Sequence, residues 1–285
     1  MPDTSLILTL SCDARPGIIA AVTGTIADLG GNITESAQYW DRTTDRFFLR
    51  IAFIGPATVN PAGLERALAP AVVRFGMELQ VIDAMQPPRI IIMVSKFDHA
   101  LLHLLYQIRV GWLHAEVAAI VSNHEDGRGI AEEAGLRFVH LPVTRDTKAE
   151  QEARLLELVA ETGAEAVILA RYMQVLSNDL AGRLSGRAIN IHHSFLPAFK
   201  GAKPYHQAHE RGVKLIGATA HYVNADLDEG PIIEQEVARV SHADSPDDLV
   251  AIGRDIESRV LARAVKLHLE RRVMLSGNRT VVFGK

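Results

Sequence analysis

The stretch DAMQPPRIIIMVS, Asp83 to Ser95, divides the sequence into two parts. Pro87 and Pro88 disfavour both helix and central strand, and the apolar run Ile90 to Val94 that follows at once is typical of a buried strand. A chain of 285 residues is long for one hydrophobic core and long enough for two. We therefore predict a first domain over 1–85, a linker over 86–88 and a second domain over 89–285.

The first part alternates strand and helix patterns. Pro16 is typical of a helix start, and Gly30 and Gly31 of a helix end. The order βαββαβ in so short a segment predicts a small antiparallel sheet with both helices on one face, a ferredoxin-like unit. The stretches are Ser5 to Leu10, PGIIAAVTGTIADLG, NITESAQYW, RFFLRIAF, PAGLERALAPAVVRFG and MELQVIDA.

The second part contains continuous apolar runs separated by helical stretches. Such runs indicate strands that are covered on both faces, so we predict a mostly parallel, Rossmann-like sheet and an α/β fold class, with ligands at the carboxyl ends of the strands. Ser245 to Leu275 is predicted as one long helix capped by SPDD. The predicted strands are 90–95, 116–121, 137–141, 166–170, 188–191, 215–223 and 232–240.

Composition excludes several classes of protein. With 48% hydrophobic and 22% charged residues and a formal charge of −4, the chain has no broad basic surface for nucleic acid. Its single cysteine, Cys12, rules out an internal disulfide framework. The start MPDTSLILTL lacks a secretion-signal pattern, and no apolar run approaches the roughly 18 residues that span a bilayer. We expect a cytoplasmic protein without a membrane partner.

Two clusters in the second part carry polar chemistry. Asn190 and His192, in NIHHSFLPAF, share one side of a predicted strand, and His193 is expected on the other. An amide donor beside a group that titrates near neutrality can polarise a carbonyl and move a proton. In HYVNADLDEGPII, Asp226 and Asp228 follow another strand, and Asp228 can supply a base. Taken singly, a structural role for the histidine and a turn-forming role for the aspartates are commoner than catalytic roles. The structural and the catalytic interpretations therefore both remain open.

Metal binding is not expected at these residues. His192 and His193 are adjacent and point apart, without a cysteine or carboxylate at ligand spacing. His99 and His103 are four residues apart on a predicted helix, but the glutamate of a zinc-protease motif is missing. We expect no catalytic metal.

The stretch from Asn190 to Ile233 resembles the folate-dependent formyltransferase family, whose signature is Asn-x-His, Ser-x-Leu-Pro and then Asp-x-Gly-x-Ile. The resemblance implies that Asn190, His192 and Asp228 are catalytic. It also implies that ARYMQVLS, Ala170 to Ser177, lines a folate pterin pocket. The implied substrate-binding residues are Arg171, Met173, Gln174, Val175, Leu176, His221, Ala225 and Asp226, although Asp226 has no catalytic counterpart in the family.

The stretch DARPGIIAAVTGTIADLGGNI resembles an ACT domain, a regulatory ferredoxin-like module. A bound amino-acid effector and a plain turn with a helix start explain these residues equally well. An ACT unit fused to a formyltransferase-like domain resembles the formyltetrahydrofolate deformylases, and because ACT units work in pairs it implies a homodimer or homotetramer. The implied regulatory residues are Asp13, Arg15, Pro16, Gly17 and Asn32.

The acceptor of the formyl group can be argued from VSKFDHALLHLL, which follows the first strand of the second part. Lys96, Phe97 and Asp98 stand where the ribonucleotide-formylating relatives have a glycine-rich phosphate loop, and they make a poor phosphate cradle. The family resemblance then implies hydrolysis of 10-formyltetrahydrofolate to formate and tetrahydrofolate, with no tightly bound cofactor and with formate supplied for purine synthesis. The alternatives are transfer to a phosphate-free amine and an amino-acid-sensing folate-binding protein.

The implied reaction assigns a role to each of the three residues. Asn190 and protonated His192 stabilise the oxyanion, and Asp228 holds the water and accepts its proton. FKGAKPYHQA, Phe199 to Ala208, is interpreted as a mobile lid. Lys200 and Lys203 are candidates for binding the acidic folate tail, and solvated loop lysines are the alternative.

Overall fold

The computed structural model describes residues 4–195, 204–226 and 228–284. The chain divides into two compact units, of which the first contains residues 1–87, 270–276 and 281–285 and the second 88–269 and 277–280. The division after Pro87 falls within the linker expected at 86–88. The tail segments belong to the first unit, whereas we assign all of 89–285 to the second domain from the sequence.

The first unit is a four-stranded antiparallel sheet with two helices. Its strand order is β2-β3-β1-β4, and the chain order βαββαβ agrees with the prediction. Leu6, Leu8 and Leu10 alternate along β1 and pack in one core with Val22 of α1 and Leu64 of α2. The elements are β1 (Thr4–Asp13), α1 (Ile18–Asp28), β2 (Asn32–Asp41), β3 (Arg46–Gly55), α2 (Pro61–Phe75) and β4 (Glu78–Asp83).

Local signals in the sequence account for the bounds of α2. Asn60 caps its start, because its side-chain oxygen accepts a hydrogen bond from the Gly63 amide at 2.8 Å, and Pro61 stands in the first turn. Gly76 ends the helix at φ 63°, a left-handed conformation that glycine adopts without a Cβ penalty.

The second unit is a seven-stranded, mostly parallel sheet with helices, as predicted. Its order is β11-β10-β9-β8-β5-β6-β7, in which β10 and β11 are antiparallel to their neighbours. The elements are β5 (Arg89–Val94), α3 (His99–Arg109), β6 (Glu116–Ser122), α4 (Arg128–Glu133), β7 (Phe138–His140), α5 (Lys148–Thr162), β8 (Ala166–Leu169), α6 (Asn178–Arg183), β9 (Ala188–His192), α7 (Pro204–Glu210), β10 (Leu215–Tyr222), β11 (Ile232–Arg239) and α8 (Pro246–Leu269).

The strand order of this sheet reverses beside β5. The chain runs outward through β6 and β7, then returns to the other side of β5 with β8 and continues to β9. Ligands of open α/β sheets bind outside the carboxyl ends of the strands at such a switch point. None of the helices in the described ranges combines the length and apolar character that crossing a bilayer requires.

The prediction of one helix over 245–275 is right at its start and wrong at its end. The Ser245 hydroxyl accepts from the Asp248 amide at 3.2 Å and the Asp248 carboxylate accepts from the Ser245 amide at 2.8 Å, which caps α8. The helix stops at Leu269, and Arg271 has φ 55°. A two-stranded hairpin follows, formed by β12 (Val273–Ser276) and β13 (Arg279–Val282).

Buried ion pairs explain why the tail belongs to the first unit. The Arg272 guanidinium donates to both carboxylate oxygens of Glu35 in β2, each at 2.7 Å. Arg50 of β3 donates to Glu35 at 2.9 Å and to the Glu270 carbonyl at 3.0 Å. Both arginines are almost fully buried, so these partners replace the water that they lose on folding.

Candidate active site

Asn190 and His192 lie at the carboxyl end of β9, the neighbour of β8. Alternation along the strand places their side chains on the same side, and both line a cavity of about 250 Å³. The cavity is therefore at the edge of the sheet where the strand order predicts a ligand.

His192 and Asp228 form the central polar pair of this cavity. His192 Nδ1 lies 3.2 Å from Asp228 Oδ1, and the histidine is 5% exposed. Burial raises the pKa of Asp228, but the hydrogen bond and the electrostatic attraction from His192 outweigh it, so that the pKa of Asp228 lies below the ordinary value. His192 Nε2 is buried and finds no hydrogen-bond partner among the described residues. A substrate or water can supply that partner.

Two unusual backbone positions in the loop after β10, at Asp228 and Gly230, place Asp228 in the cavity. Asp228 has φ 57°, a left-handed conformation that aspartate tolerates better than most residues. A Cβ at Gly230 would lie 1.7 Å from the Tyr222 carbonyl oxygen, so only glycine allows this close approach to the end of β10. The Asp-x-Gly spacing of the sequence motif therefore has a steric cause at Gly230.

Two further histidines border the pair. His221 of β10 lies opposite Asn190 in the strand register, with Nε2 3.8 Å from Asp228 Oδ1. Burial lowers the pKa of His221 against the opposing effects of a hydrogen bond to the Tyr222 carbonyl and of Asp228. His193 lines the same cavity, and its ring centroid is 4.9 Å from that of His192. The expectation that His193 faces away is wrong, because β9 ends at His192 and strand alternation does not extend past it.

The segment from Arg171 to Leu176 forms one wall of the cavity. The Met173 amide donates to the Ser95 hydroxyl at 3.0 Å, and that hydroxyl donates to Asn123 at 2.6 Å. The Ser177 amide, just beyond the segment, donates to Glu152 at 2.9 Å. Two backbone amides, one in the wall and one just past it, thus hold this segment against the rest of the second unit.

The structure brings all the sequence-predicted catalytic and substrate-binding residues to this one cavity. Tyr172 also lines it and is missing from the predicted set, although it stands within the quoted ARYMQVLS stretch; burial raises its pKa to about 12. No cluster of three or more histidine, cysteine, aspartate or glutamate side chains suited to a metal ion occurs within the described ranges. The other lining residues that the sequence prediction misses are Leu169, Ile191, His193, Val223 and Asn224.

The predicted lid spans 199–208, of which 199–203 lie outside the described residues. Residues 204–208 belong to α7, so the prediction of a loop is wrong for that half. Lys200 and Lys203, the candidates for the folate tail, both lie in the gap between 195 and 204. Their proposed contact with a ligand stays a prediction.

The predicted regulatory residues lie in the first unit, at the start of α1 and of β2. Gly17 caps α1 at φ 94°, which requires glycine. Asp13 and Arg15 form an ion pair of 3.7 Å between exposed side chains, and Asn32 is the first residue of β2. This geometry accounts for Gly17 as a turn residue, while effector binding stays a prediction.

Comparison with known proteins finds a matching family and full-length relatives. Residues 88–265 match the family described as Formyl transferase. The chain is 52% identical to formyltetrahydrofolate deformylase of Corynebacterium sp. (strain P-1) over 97% of each chain. The solved structure of formyltetrahydrofolate deformylase from Burkholderia mallei ATCC 23344 superposes with a TM-score of 0.95 at 52% identity, covering 99% of this chain and 100% of that chain.

A transferase structure aligns over a smaller part of the chain. Glycinamide ribonucleotide transformylase 1 from Symbiobacterium toebii superposes with a TM-score of 0.65 at 32% identity, covering 70% of this chain and 95% of that chain. The chain belongs to the formyltetrahydrofolate deformylase family, whose members it matches along nearly its whole length.

Proposed function

We propose that this chain hydrolyses 10-formyltetrahydrofolate to formate and tetrahydrofolate. The observation that carries the proposal is the convergence of Asn190, His192 and Asp228 on one cavity that residues 171–176 also line. Relatives named formyltetrahydrofolate deformylase, which align over nearly the full chain, support the same substrate.

The reaction requires stabilisation of an oxyanion. The N10-formyl group is an amide, so addition of a water oxygen to the formyl carbon gives a tetrahedral oxyanion, from which the bond between carbon and N10 then breaks. Asn190 Nδ2 and protonated His192 donate hydrogen bonds to that oxygen. His192 Nε2 is buried and has no hydrogen-bond partner among the described residues, which suits this role. Removal of one such donor typically lowers kcat by about 10²- to 10³-fold.

The reaction also requires a base. Asp228 is ionised at neutral pH, since its pKa lies below the ordinary value, and its carboxylate is held 3.2 Å from His192. It orients the attacking water and accepts its proton, while N10 receives a proton through His192 or a water molecule. Formate and tetrahydrofolate leave as the two products, which returns the folate carrier to the one-carbon pool and provides formate for purine synthesis.

Water rather than an amine is the proposed acceptor. After β5 the chain carries Phe97, whose ring centroid lies 5.4 Å from the guanidinium carbon of Arg171 and 5.5 Å from that of Arg254. A bulky ring at this point argues against a glycine-lined loop that binds phosphate. The identity with relatives named deformylase over both units supports hydrolysis as well.

The first unit is proposed to act as an ACT regulatory domain. Its βαββαβ order and the glycine-dependent turn at Gly17 support that assignment. An amino acid would bind near Asp13, Arg15 and Asn32, and pairing of two such units would make the protein a homodimer or homotetramer.

The test uses purified protein and 10-formyltetrahydrofolate without amine or added metal, and follows formate and tetrahydrofolate together. We expect equimolar release of both, and its loss in Asn190→Ala, His192→Ala and Asp228→Ala while tetrahydrofolate still binds. Formyl transfer only after addition of an amine would favour a transferase. Folate binding without turnover under either condition would indicate a binding protein.

A further inference from the structure

Arg171 adopts a backbone conformation that its side chain disfavours. Its φ is 67°, in the left-handed region that residues with a Cβ rarely occupy. The side chain is nevertheless only 11% exposed, and its Nε lies 3.3 Å from Glu257 Oε2. A disfavoured conformation persists when surrounding contacts enforce it, and the Arg171 side chain is held by Glu257 and by the ring of Phe97.

Glu257, on α8, is a buried carboxylate with three partners. Its side chain is 1% exposed, His99 Nε2 lies 2.9 Å from Oε2, and the Tyr205 hydroxyl donates to Oε1 at 2.7 Å. Burial raises the pKa of Glu257, but His99, Arg171 and Tyr205 together bring it below the ordinary value. A buried negative charge is therefore present beside the Arg171 guanidinium.

Close packing fixes the position of this carboxylate. A Cβ at Gly253, one turn before Glu257 on α8, would lie 2.1 Å from Cζ of Tyr205, so the tyrosine ring lies directly against the helix backbone. Tyr205 also meets His193 edge-on at 6.5 Å between ring centroids. The cluster of Glu257, Tyr205, His99 and Arg171 thus borders the candidate active site.

The cluster connects to the substrate through the segment 171–176. All six residues of that segment line the cavity, and its backbone is tied to Ser95 in its middle and to Glu152 just past its end. Arg171 is the first residue of the segment, and its side chain leads to Glu257. We infer that Glu257 acts through Arg171 as a positioning residue, which holds this wall of the cavity in the conformation that binds the folate. The inference rests on the proposed function only for the identity of the ligand.

The test compares Glu257→Gln with the parent protein. Glutamine keeps an acceptor for Tyr205 and removes the charge that pairs with Arg171, so we expect KM for 10-formyltetrahydrofolate to rise about tenfold while kcat stays within about twofold. The Kd for tetrahydrofolate, measured by calorimetry, should rise in parallel. The Kd can be measured without turnover. If the parent protein binds tetrahydrofolate but does not hydrolyse 10-formyltetrahydrofolate, the proposed function is overturned and this inference can still be tested.

A double-mutant cycle separates positioning from general support of α8. Arg171→Gly removes the anchoring side chain and accepts the positive φ, so Glu257→Gln should change Kd by less than about twofold in that background. Glu236→Gln is the matched control. Glu236 is likewise a glutamate paired with an arginine, Arg263 at 2.8 Å, and it does not line the cavity. We expect its Kd to equal that of the parent.

Two results would overturn the inference. One is a parental Kd in folded Glu257→Gln, and the other is an equal change in Kd with and without Arg171. If Glu257→Gln does not fold, Arg171→Gly and Arg171→Ala decide: both should weaken tetrahydrofolate binding about tenfold, and parental binding in both would refute the inference.

Discussion

The ring of His221 determines which way the Asn190 side-chain amide points. Asn190 Nδ2 lies 3.3 Å from His221 Nε2, while His221 Nδ1 lies 2.9 Å from the Tyr222 carbonyl oxygen. A carbonyl only accepts, so Nδ1 carries the proton, and the neutral ring accepts at Nε2. One N–H of Asn190 is thereby used by His221, which leaves the other for the proposed contact with the formyl oxygen.

We predict that His221→Leu lowers kcat about 10- to 100-fold, because the Asn190 amide loses the acceptor that orients it. His221→Gln, which can restore an acceptor, should lose less. The measurement is formate release at saturating substrate. Parental kcat in His221→Leu would show that Asn190 needs no such partner.

Asp228→Asn tests the base. The carboxamide keeps the size of the side chain but accepts no proton from water, so kcat should fall by about 10²- to 10⁴-fold while tetrahydrofolate binds with nearly parental Kd. Asp226→Asn is the comparison variant, since Asp226 lines the same cavity from the same loop and is predicted to bind substrate but not to take its proton, so any effect should fall on KM. Its kcat should stay within a few fold of the parent. Equal losses in both variants would argue for a general effect of loop charge.

The pKa of His221 makes stability depend on pH in a defined direction. Burial lowers that pKa in the folded state, so the unfolded chain binds the proton more tightly and the free energy of unfolding falls as pH drops below about 6.5. Above that pH both states are neutral and the effect disappears. Urea unfolding at about pH 7.5 and pH 5.5 should therefore show a smaller pH difference in His221→Gln than in the parent.

His242→Gln is the control for this measurement, because His242 is exposed. It should keep the parental pH difference. Some pH dependence should remain in His221→Gln, since burial also lowers the pKa of His103. A pH difference unaffected by His221→Gln would contradict the assigned direction.

Much of this site follows from sequence because strand geometry is simple. The spacing of Asn190 and His192 places both on one side, and the Asp-x-Gly motif predicts the loop that Asp228 occupies. Sequence spacing fails for His193, since the end of β9 depends on pairing with β10. Glu257 lies on α8, far along the chain from Arg171, so only the folded structure shows their contact.

The tail shows the same limit of local sequence patterns. The helical periodicity after Ser245 does not predict that the helix ends at Leu269. What stops it is tertiary: Arg272 is buried against Glu35 in the first unit. Local propensity cannot predict an ion pair between residues so distant in sequence.

Glu35→Gln tests whether this ion pair stabilises the first unit. Hydrogen bonds from Arg272 lower the pKa of Glu35, so it is charged at neutral pH. Loss of that charge removes the ion-pair partner of buried Arg50 and leaves buried Arg272 with Glu270 alone. We expect the free energy of unfolding to fall by about 2 to 3 kcal/mol, measured by urea unfolding at neutral pH. Glu78→Gln, in the same unit but in an exposed pair with Arg46, should lower it by less than about 1 kcal/mol. Equal losses in the two variants would mean that burial adds nothing to the Glu35 contact.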